Sequence, residues 1–310
     1  PDLDWVRQVM PDRPLDAHKG SFGTAMVIAG SLNYTGAALL AGQAAYRAGA
    51  GLVTLGVPGP LHTALSGVFP EATWLLLPHE MGVISKSAAK IVLDNLSKVT
   101  ALLVGPGFGL EDTTTEFLTQ LIRGSKESKR SKIGFVQEND HLEETKSFSL
   151  PPMVVDADGL KLLANIPTWA EHLPSQSILT PHPGEMSALT GLNIDEIQAN
   201  RLETAQKFSQ KWGHIVILKG AFTVIASPEG ETAVIPVATP ALARAGSGDV
   251  LAGLVVGLLA QGMLPFEAAV AGAWIHAQAG LWAAADLGST NAVLAGDILD
   301  STIDVLSELA

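Results

Sequence analysis

Short, unbroken apolar runs recur along this chain, each followed by a Gly- or Ala-rich stretch of helical character. That alternation limits the fold more than any other feature. The runs are Thr24–Ala29, Leu52–Val57, Thr73–Leu77, Ala101–Val104, Met153–Val155, Ser177–Leu179 and Ile215–Leu218. Between and after them lie candidate helices at Gly36–Ala48, Ser87–Leu96, Thr113–Leu121, Gly159–Ala164, Glu185–Thr190, Asp195–Trp212, Val250–Gln261 and Pro265–Ala285. Continuous apolar strands, rather than alternating ones, are those covered on both faces. The pattern predicts an α/β fold, a mainly parallel sheet with helices on both sides. Ligands of such sheets sit outside the carboxyl ends of the strands, so the turns that follow the strands are the place to look for chemistry.

Charge and composition narrow the class. The 310 residues carry a formal net charge of −12, without the basic footprint that nucleic acid or an anionic membrane surface requires. The chain has no Cys, which removes disulfides, thiolate nucleophiles and Cys-based zinc sites together. Its opening residues hold no apolar signal core, and the Val250–Leu264 stretch is too short to cross roughly 30 Å of hydrocarbon. A cytoplasmic protein with small-molecule ligands is expected. Residues 1–310 read as one α/β unit, interrupted by a densely charged insertion at about 123–150. A start at Pro1 rather than Met fits a fragment of a longer chain.

The strongest local signal is Gly246-Ser247-Gly248-Asp249 leading into an Ala/Leu/Val helix. Glycines bare the main-chain N–H groups and the helix dipole adds positive charge, so Gly246, Ser247 and Gly248 form an expected anion hole for phosphate. Asp249 would stand beside it, placed to accept a proton from an attacking hydroxyl. The same residues read equally well as an ordinary helix start, capped by Ser247 or Asp249. No P-loop is present, and Gly105-Pro106-Gly107-Phe108-Gly109 lacks dinucleotide-fingerprint spacing; it reads as a tight turn that lets a ligand approach the backbone.

Other strand ends share this logic. His182 is held stiffly between Pro181 and Pro183, suited to donation toward a ligand oxygen or to a purely structural role. Lys219-Gly220-Ala221-Phe222-Thr223 puts a cation and free backbone at a strand end, or a solvated tip. Asp156-Ala157-Asp158 could hold Mg²⁺ directly or through water, or cap the helix that follows. The eight His residues show no zinc-site spacing.

Taken in order, HKGSFGTAMVIAGS (18–31), YTGAALLAGQAAYRAGAGLVTL (34–55), VGPGFG (104–109), VVDADGLKLL (154–163), LTPHPGEMSALTG (179–191), VILKGAFTVI (216–225) and PALARAGSGDVLAG (240–253) resemble one family. It is the ADP/ATP-dependent NAD(P)H-hydrate dehydratases, a branch of the ribokinase-like fold. The resemblance implies repair of NADHX and NADPHX, the hydrated forms of NADH and NADPH. The hydrate hydroxyl is phosphorylated from ADP or ATP, and phosphate is then eliminated. It implies Asp249 as the base and Lys219, Gly220, Ala221, Phe222, Thr223 and Gly248 at the nucleotide. Ala37, Gly107, His182 and Asp249 would contact the hydrated dinucleotide. Mg²⁺ is expected with the nucleotide, oriented through water by Asp156 or Glu185. A tetramer and a fused epimerase domain are further implications.

The chain departs from the family at Arg244-Ala245-Gly246-Ser247-Gly248-Asp249, where a Gly-Gly-Thr-Gly-Asp type of sequence is usual, and in the length of 123–150. Two other readings share the glycine turn. One is a ribokinase-like kinase acting on a thiazole or pyrimidine alcohol. The other is a non-catalytic nucleotide sensor, against which an intact Asp249 argues.

Overall fold

The computed structural model describes residues 1–127 and 149–310. Residues 128–148, most of the expected charged insertion, lie outside the described residues; Arg123–Glu127 end the Asp112–Glu127 helix.

Among the described residues, eleven strands, numbered in chain order, are β1 (Thr24–Ile28), β2 (Leu52–Pro58), β3 (Thr73–Leu77), β4 (His79–Glu80), β5 (Val83–Ile84), β6 (Ala101–Val104), β7 (Met153–Val155), β8 (Ile178–Leu179), β9 (Ile215–Leu218), β10 (Val224–Ala226) and β11 (Thr232–Val234). Nine of them form one sheet in the order β11-β10-β9-β8-β7-β6-β1-β2-β3, and β4 pairs with β5 alone. Within the nine-stranded sheet the pairings from β9 through β8, β7, β6, β1 and β2 to β3 are all parallel, whereas β10 pairs antiparallel with both β9 and β11; β4 and β5 also pair antiparallel.

The apolar runs are continuous because successive residues enter different cores. Val27 and Leu103 join the cluster on one face, with the helices Thr35–Arg47, Ser247–Ala260, Pro265–Asp286 and Ala295–Leu309. Met26, Ile28, Leu102 and Val104 join the opposite cluster, under the helices Ala88–Asp94, Asp112–Glu127 and Asp158–Leu163. The expected α/β sheet covered on both faces is therefore the fold observed.

Three differences have physical causes. The expected Asp195–Trp212 helix is two, Ile194–Ala199 and Arg201–Trp212, broken where Asn200 leaves helical geometry. The C-terminal helix Ala295–Leu309 was not expected, since it is acidic rather than Ala-rich; its buried face is Ile298, Leu299, Thr302, Val305 and Leu309. The Val250–Gln261 helix begins earlier, at Ser247, which puts Ser247, Gly248 and Asp249 in its first turn.

That helix is seated by small residues. A Cβ on Gly253 would lie 2.3 Å from the Ala41 carbonyl oxygen, and one on Gly257 would lie 2.5 Å from that of Ala45. Gly253→Ala is expected to cost about 1–3 kcal/mol by overpacking, read from the urea midpoint. Gly296→Ala meets open space on the C-terminal helix and is expected to be neutral or slightly stabilising.

Candidate active site

The parallel strands deliver their last residues to one edge, and that edge is where the polar groups converge. Strand β1 turns to β2 and β3 on one side, whereas β6 leads to β7, β8 and β9 on the other, so the strand order reverses between β1 and β6. Gly30 N–H donates to the Pro106 carbonyl across that switch at 2.8 Å. Farther along, Asp156 follows β7, Thr180 to His182 follow β8, and Lys219 follows β9.

These groups form a buried network. Asp156 Oδ1 accepts from Thr180 Oγ1 at 2.6 Å and from Lys219 Nζ at 2.7 Å. Lys219 Nζ also lies 3.6 Å from Glu185 Oε2. Burial opposes the Lys219 charge, but Asp156 and Glu185 outweigh it and hold the ammonium above its ordinary value. Glu185 in turn closes a capping box: its Oε2 accepts from His182 N–H at 2.9 Å, while His182 Nδ1 accepts from the amides of Gly184 and Glu185. With Nδ1 accepting, the neutral ring carries its proton on Nε2, 3.3 Å from Glu185 Oε1. Burial, then Lys219 and Lys161, push the His182 pKa down, which keeps the ring neutral.

The Ser247–Ala260 helix points its first turn at this network. Gly246, at φ +89°, provides the left-handed corner that only glycine adopts freely. The amides of Gly246, Gly248 and Asp249 have no partner among the described residues, and a Cβ on Gly248 would lie 3.3 Å from Lys219 Nζ. Ser247 differs from expectation: its N–H donates to the Arg244 carbonyl at 3.2 Å, so Asp249 rather than Ser247 contributes a bare main-chain donor. The Ser247 hydroxyl instead pairs with His276 Nε2 at 2.9 Å. Burial pushes His276 down to about 4, leaving a neutral imidazole.

The Asp249 side chain makes no hydrogen bond or ion pair with any described residue. Burial, with repulsion from Asp156 and Asp158 only partly offset by Lys219, pushes its carboxyl up to about 7. A carboxylate poised near neutrality and unengaged beside bare amides has the properties of a general base.

A cavity of about 760 Å³ opens over these groups. Asp156, His182, Lys219, Gly220, Ala221, Thr223, Gly246, Ser247, Gly248 and Asp249 all line it, and Ile235, Val237 and Ala277 form an apolar wall. Phe222, at φ +54°, is exposed beside it and outside the lining. Ala37 and Gly107 sit apart, against each other: a Cβ on Gly107 would lie 2.9 Å from that of Ala37. They reach the Gly246 turn through Leu40, one helical turn beyond Ala37, whose Cδ1 would lie 2.8 Å from a Cβ on Gly246.

A metal would find limited protein ligation. No group of three or more His, Cys, Asp or Glu side chains able to hold an ion occurs among the described residues. Asp156 Oδ2 is nevertheless buried without a partner, 3.8 Å from where a Gly248 Cβ would stand. That orphaned acceptor suits an ion carried in on phosphate and hydrated on the protein side. The Glu185 oxygens are occupied by His182 and Lys219, which leaves Asp156 as the better-placed of the two expected acids.

The model of one protein family, described as NAD(P)H-hydrate dehydratase, matches residues 25–303. The chain belongs to that family. It is 38% identical over 306 residues to the bifunctional NAD(P)H-hydrate repair enzyme Nnr of Moorella thermoacetica, covering 98% of this chain and 53% of that protein. The chain thus spans about half the length of the bifunctional relatives it matches. To the ADP-dependent (S)-NAD(P)H-hydrate dehydratase of Bacillus subtilis it is 32% identical, covering 96% of this chain and 94% of that one. The crystal structure of the Bacillus subtilis ADP/ATP-dependent NAD(P)H-hydrate dehydratase, co-crystallised with ATP and Mg²⁺, superposes with a TM-score of 0.79 at 28% identity, over 100% of this chain and 98% of that one. A ribokinase-like superfamily protein of Enterococcus faecalis shares the fold, with a TM-score of 0.78 at 23% identity over 100% and 95% of the two chains.

Three features of this dehydratase-family site escaped the sequence reading: the Ser247–His276 pair, the salt-bridged Lys219, and Ala157, strained at φ +51° directly after Asp156. Only the first left a trace in sequence, as a lone imidazole in a largely apolar, Ala-rich helix.

Proposed function

We propose that this chain restores NADH and NADPH from their 6S hydrates at the expense of ADP or ATP. Asp249 takes the proton of the hydrate hydroxyl, whose oxygen attacks the terminal phosphorus of the nucleotide; with ADP, AMP departs. Phosphate then leaves with the electrons of its C–O bond, a proton is lost from the neighbouring ring carbon, and the ring double bond returns. Gly246, Gly248 and Asp249 amides receive the charge on the transferring phosphoryl group, the electrostatic contribution that dominates such steps. Lys219 holds Asp156 in place and lowers the cost of a charged Asp249. Mg²⁺ bound to the nucleotide would neutralise phosphate charge, with Asp156 Oδ2 as the protein acceptor for its water.

The observation that carries this reading is the unengaged Asp249 carboxyl, pushed up to about 7 within a turn of bare amides. The Nε2–H of His182 at the cavity rim suits the carboxamide or hydroxyl of the hydrate. Family membership favours this reaction over a kinase that stops at the phosphate ester or a sensor that only binds. The test is recovery of A340 from hydrated NADH on adding Mg²⁺ with ADP or ATP. Recovery is expected with stoichiometric release of phosphate. Phosphorylation of a small alcohol without recovery would favour the kinase instead.

Among the described residues no helix is long and apolar enough to cross a membrane. A cytoplasmic setting, homotetrameric assembly and a fused epimerase segment are parts of the same proposal, the last supported by the bifunctional relatives.

A further inference from the structure

The charge balance of the cavity singles out one residue. The ligands proposed above are polyanions, and the whole chain carries −12, so its field opposes them. Among the described residues, two cationic side chains line the cavity, Lys219 and Arg244. Lys219 is neutralised by Asp156 at 2.7 Å and Glu185 at 3.6 Å. Arg244 is not: no acidic group among the described residues lies within salt-bridge reach of it.

Arg244 is nonetheless held in place. Its Nε donates to the Val293 carbonyl at 3.2 Å and its Nη2 to the Asn291 carbonyl. Both acceptors are neutral, so they fix the guanidinium without cancelling its charge. A guanidinium carries five N–H donors in a rigid fork. Two are used here, which leaves three, including both on Nη1. The residue also stands two positions before Gly246, whose turn bares its amides to the same space. A fixed, unneutralised, planar donor group beside an anion-binding turn matches the bidentate recognition of phosphate.

The geometry points to Arg244 as a phosphate-binding residue that selects phosphorylated over phosphate-free ligands in this cavity. The inference rests on the reading that the cavity holds a nucleotide. The phosphate can belong to the adenine nucleotide or to the dinucleotide, and the experiment separates them.

Binding of ADP against adenosine, and of reduced nicotinamide mononucleotide against its riboside, is measured by titration calorimetry for wild type, Arg244→Lys and Arg244→Gln. Arg244→Gln is expected to weaken the phosphate-bearing member of at least one pair by about 10- to 100-fold, with its phosphate-free partner unchanged. The pair that responds identifies the phosphate bound. Arg244→Lys keeps the charge but not the fork and is expected to fall between. The responding affinity should also decline more steeply with salt in wild type than in Arg244→Gln. Equal losses for phosphate-bearing and phosphate-free ligands would make Arg244 a mere tether of residues 291–293 and overturn the proposal, as would no loss at all. A wild-type protein that binds neither ADP nor adenosine would overturn the nucleotide reading itself, and this inference with it.

Discussion

Asp249→Asn is expected to lower turnover by about 10²–10⁴-fold while leaving nucleotide affinity within a few fold. The amide is nearly isosteric and keeps the N–H groups of the turn, so binding survives and only the proton acceptor is lost. The pH profile supplies a second readout. In wild type, kcat should rise through pH 7 as the Asp249 carboxyl ionises and then level off; the variant should lack that limb.

Stability should move the other way. Because the folded carboxyl is pushed up to about 7, the folded chain keeps a proton that the unfolded chain releases near pH 4. Raising the pH from 4 to 7 therefore destabilises wild type, and the cost is full above pH 7. Asp249→Asn is expected to be the more stable protein at pH 8, by on the order of 2 kcal/mol once partial exposure is discounted. That advantage should shrink as the pH falls from 7 to 4 and be gone below 4. Paired urea denaturations at pH 4 and pH 8 measure it; equal differences at both would show that the carboxylate is not strained by its surroundings.

Lys219→Met carries the largest expected loss of stability. Asp156 is 1% exposed and depends on the Lys219 ammonium at 2.7 Å for its counter-charge. Removing one partner of a buried pair leaves the other uncompensated and costs about 3–5 kcal/mol. The folded Lys219 pKa is raised, so its contribution is present through neutral pH and is lost only as pH rises through that folded value. A loss of that size at pH 7, measured in urea, is the expected outcome. Lys219 also stabilises the charged form of Asp249, so the activity limb of the surviving variant should shift to higher pH. An unshifted limb would separate Lys219 from the base.

Much of the fold was legible because central parallel strands leave a strong mark. Ala101–Val104 is apolar at every position since each face of the sheet is covered, and its boundaries are those expected. The antiparallel strands β10 and β11 left a weaker mark: β10 follows β9 directly after the turn at 219–223, and β11 is an edge strand, Thr232-Ala233-Val234, that is only partly buried. The early helix start at Ser247 was hidden by Gly248, a poor helix former that nonetheless fits a first turn.

The site was legible as a set of strand ends, not as a network. Asp249 and the glycine turn lie together in sequence and could be read together. Asp156, Glu185 and Lys219 are far apart in sequence, and only the adjacency of β7, β8 and β9 brings them to one point. Their mutual neutralisation changes what Lys219 does, from a free cation to a partner that shapes two carboxylates. Ala157 gives no warning of its left-handed backbone, because alanine elsewhere in the chain is an ordinary helix and core residue.

The most direct measurement is a crystal structure of Asp249→Asn, which should bind without turning over, with ADP, Mg²⁺ and hydrated NADH. The substituted side chain at position 249 is expected about 2.6–3.2 Å from the hydrate hydroxyl, with the terminal phosphate of ADP against the amides of residues 246–249. A terminal phosphate held elsewhere, or a hydroxyl out of reach of residue 249, would contradict the assignment of this carboxylate as the base.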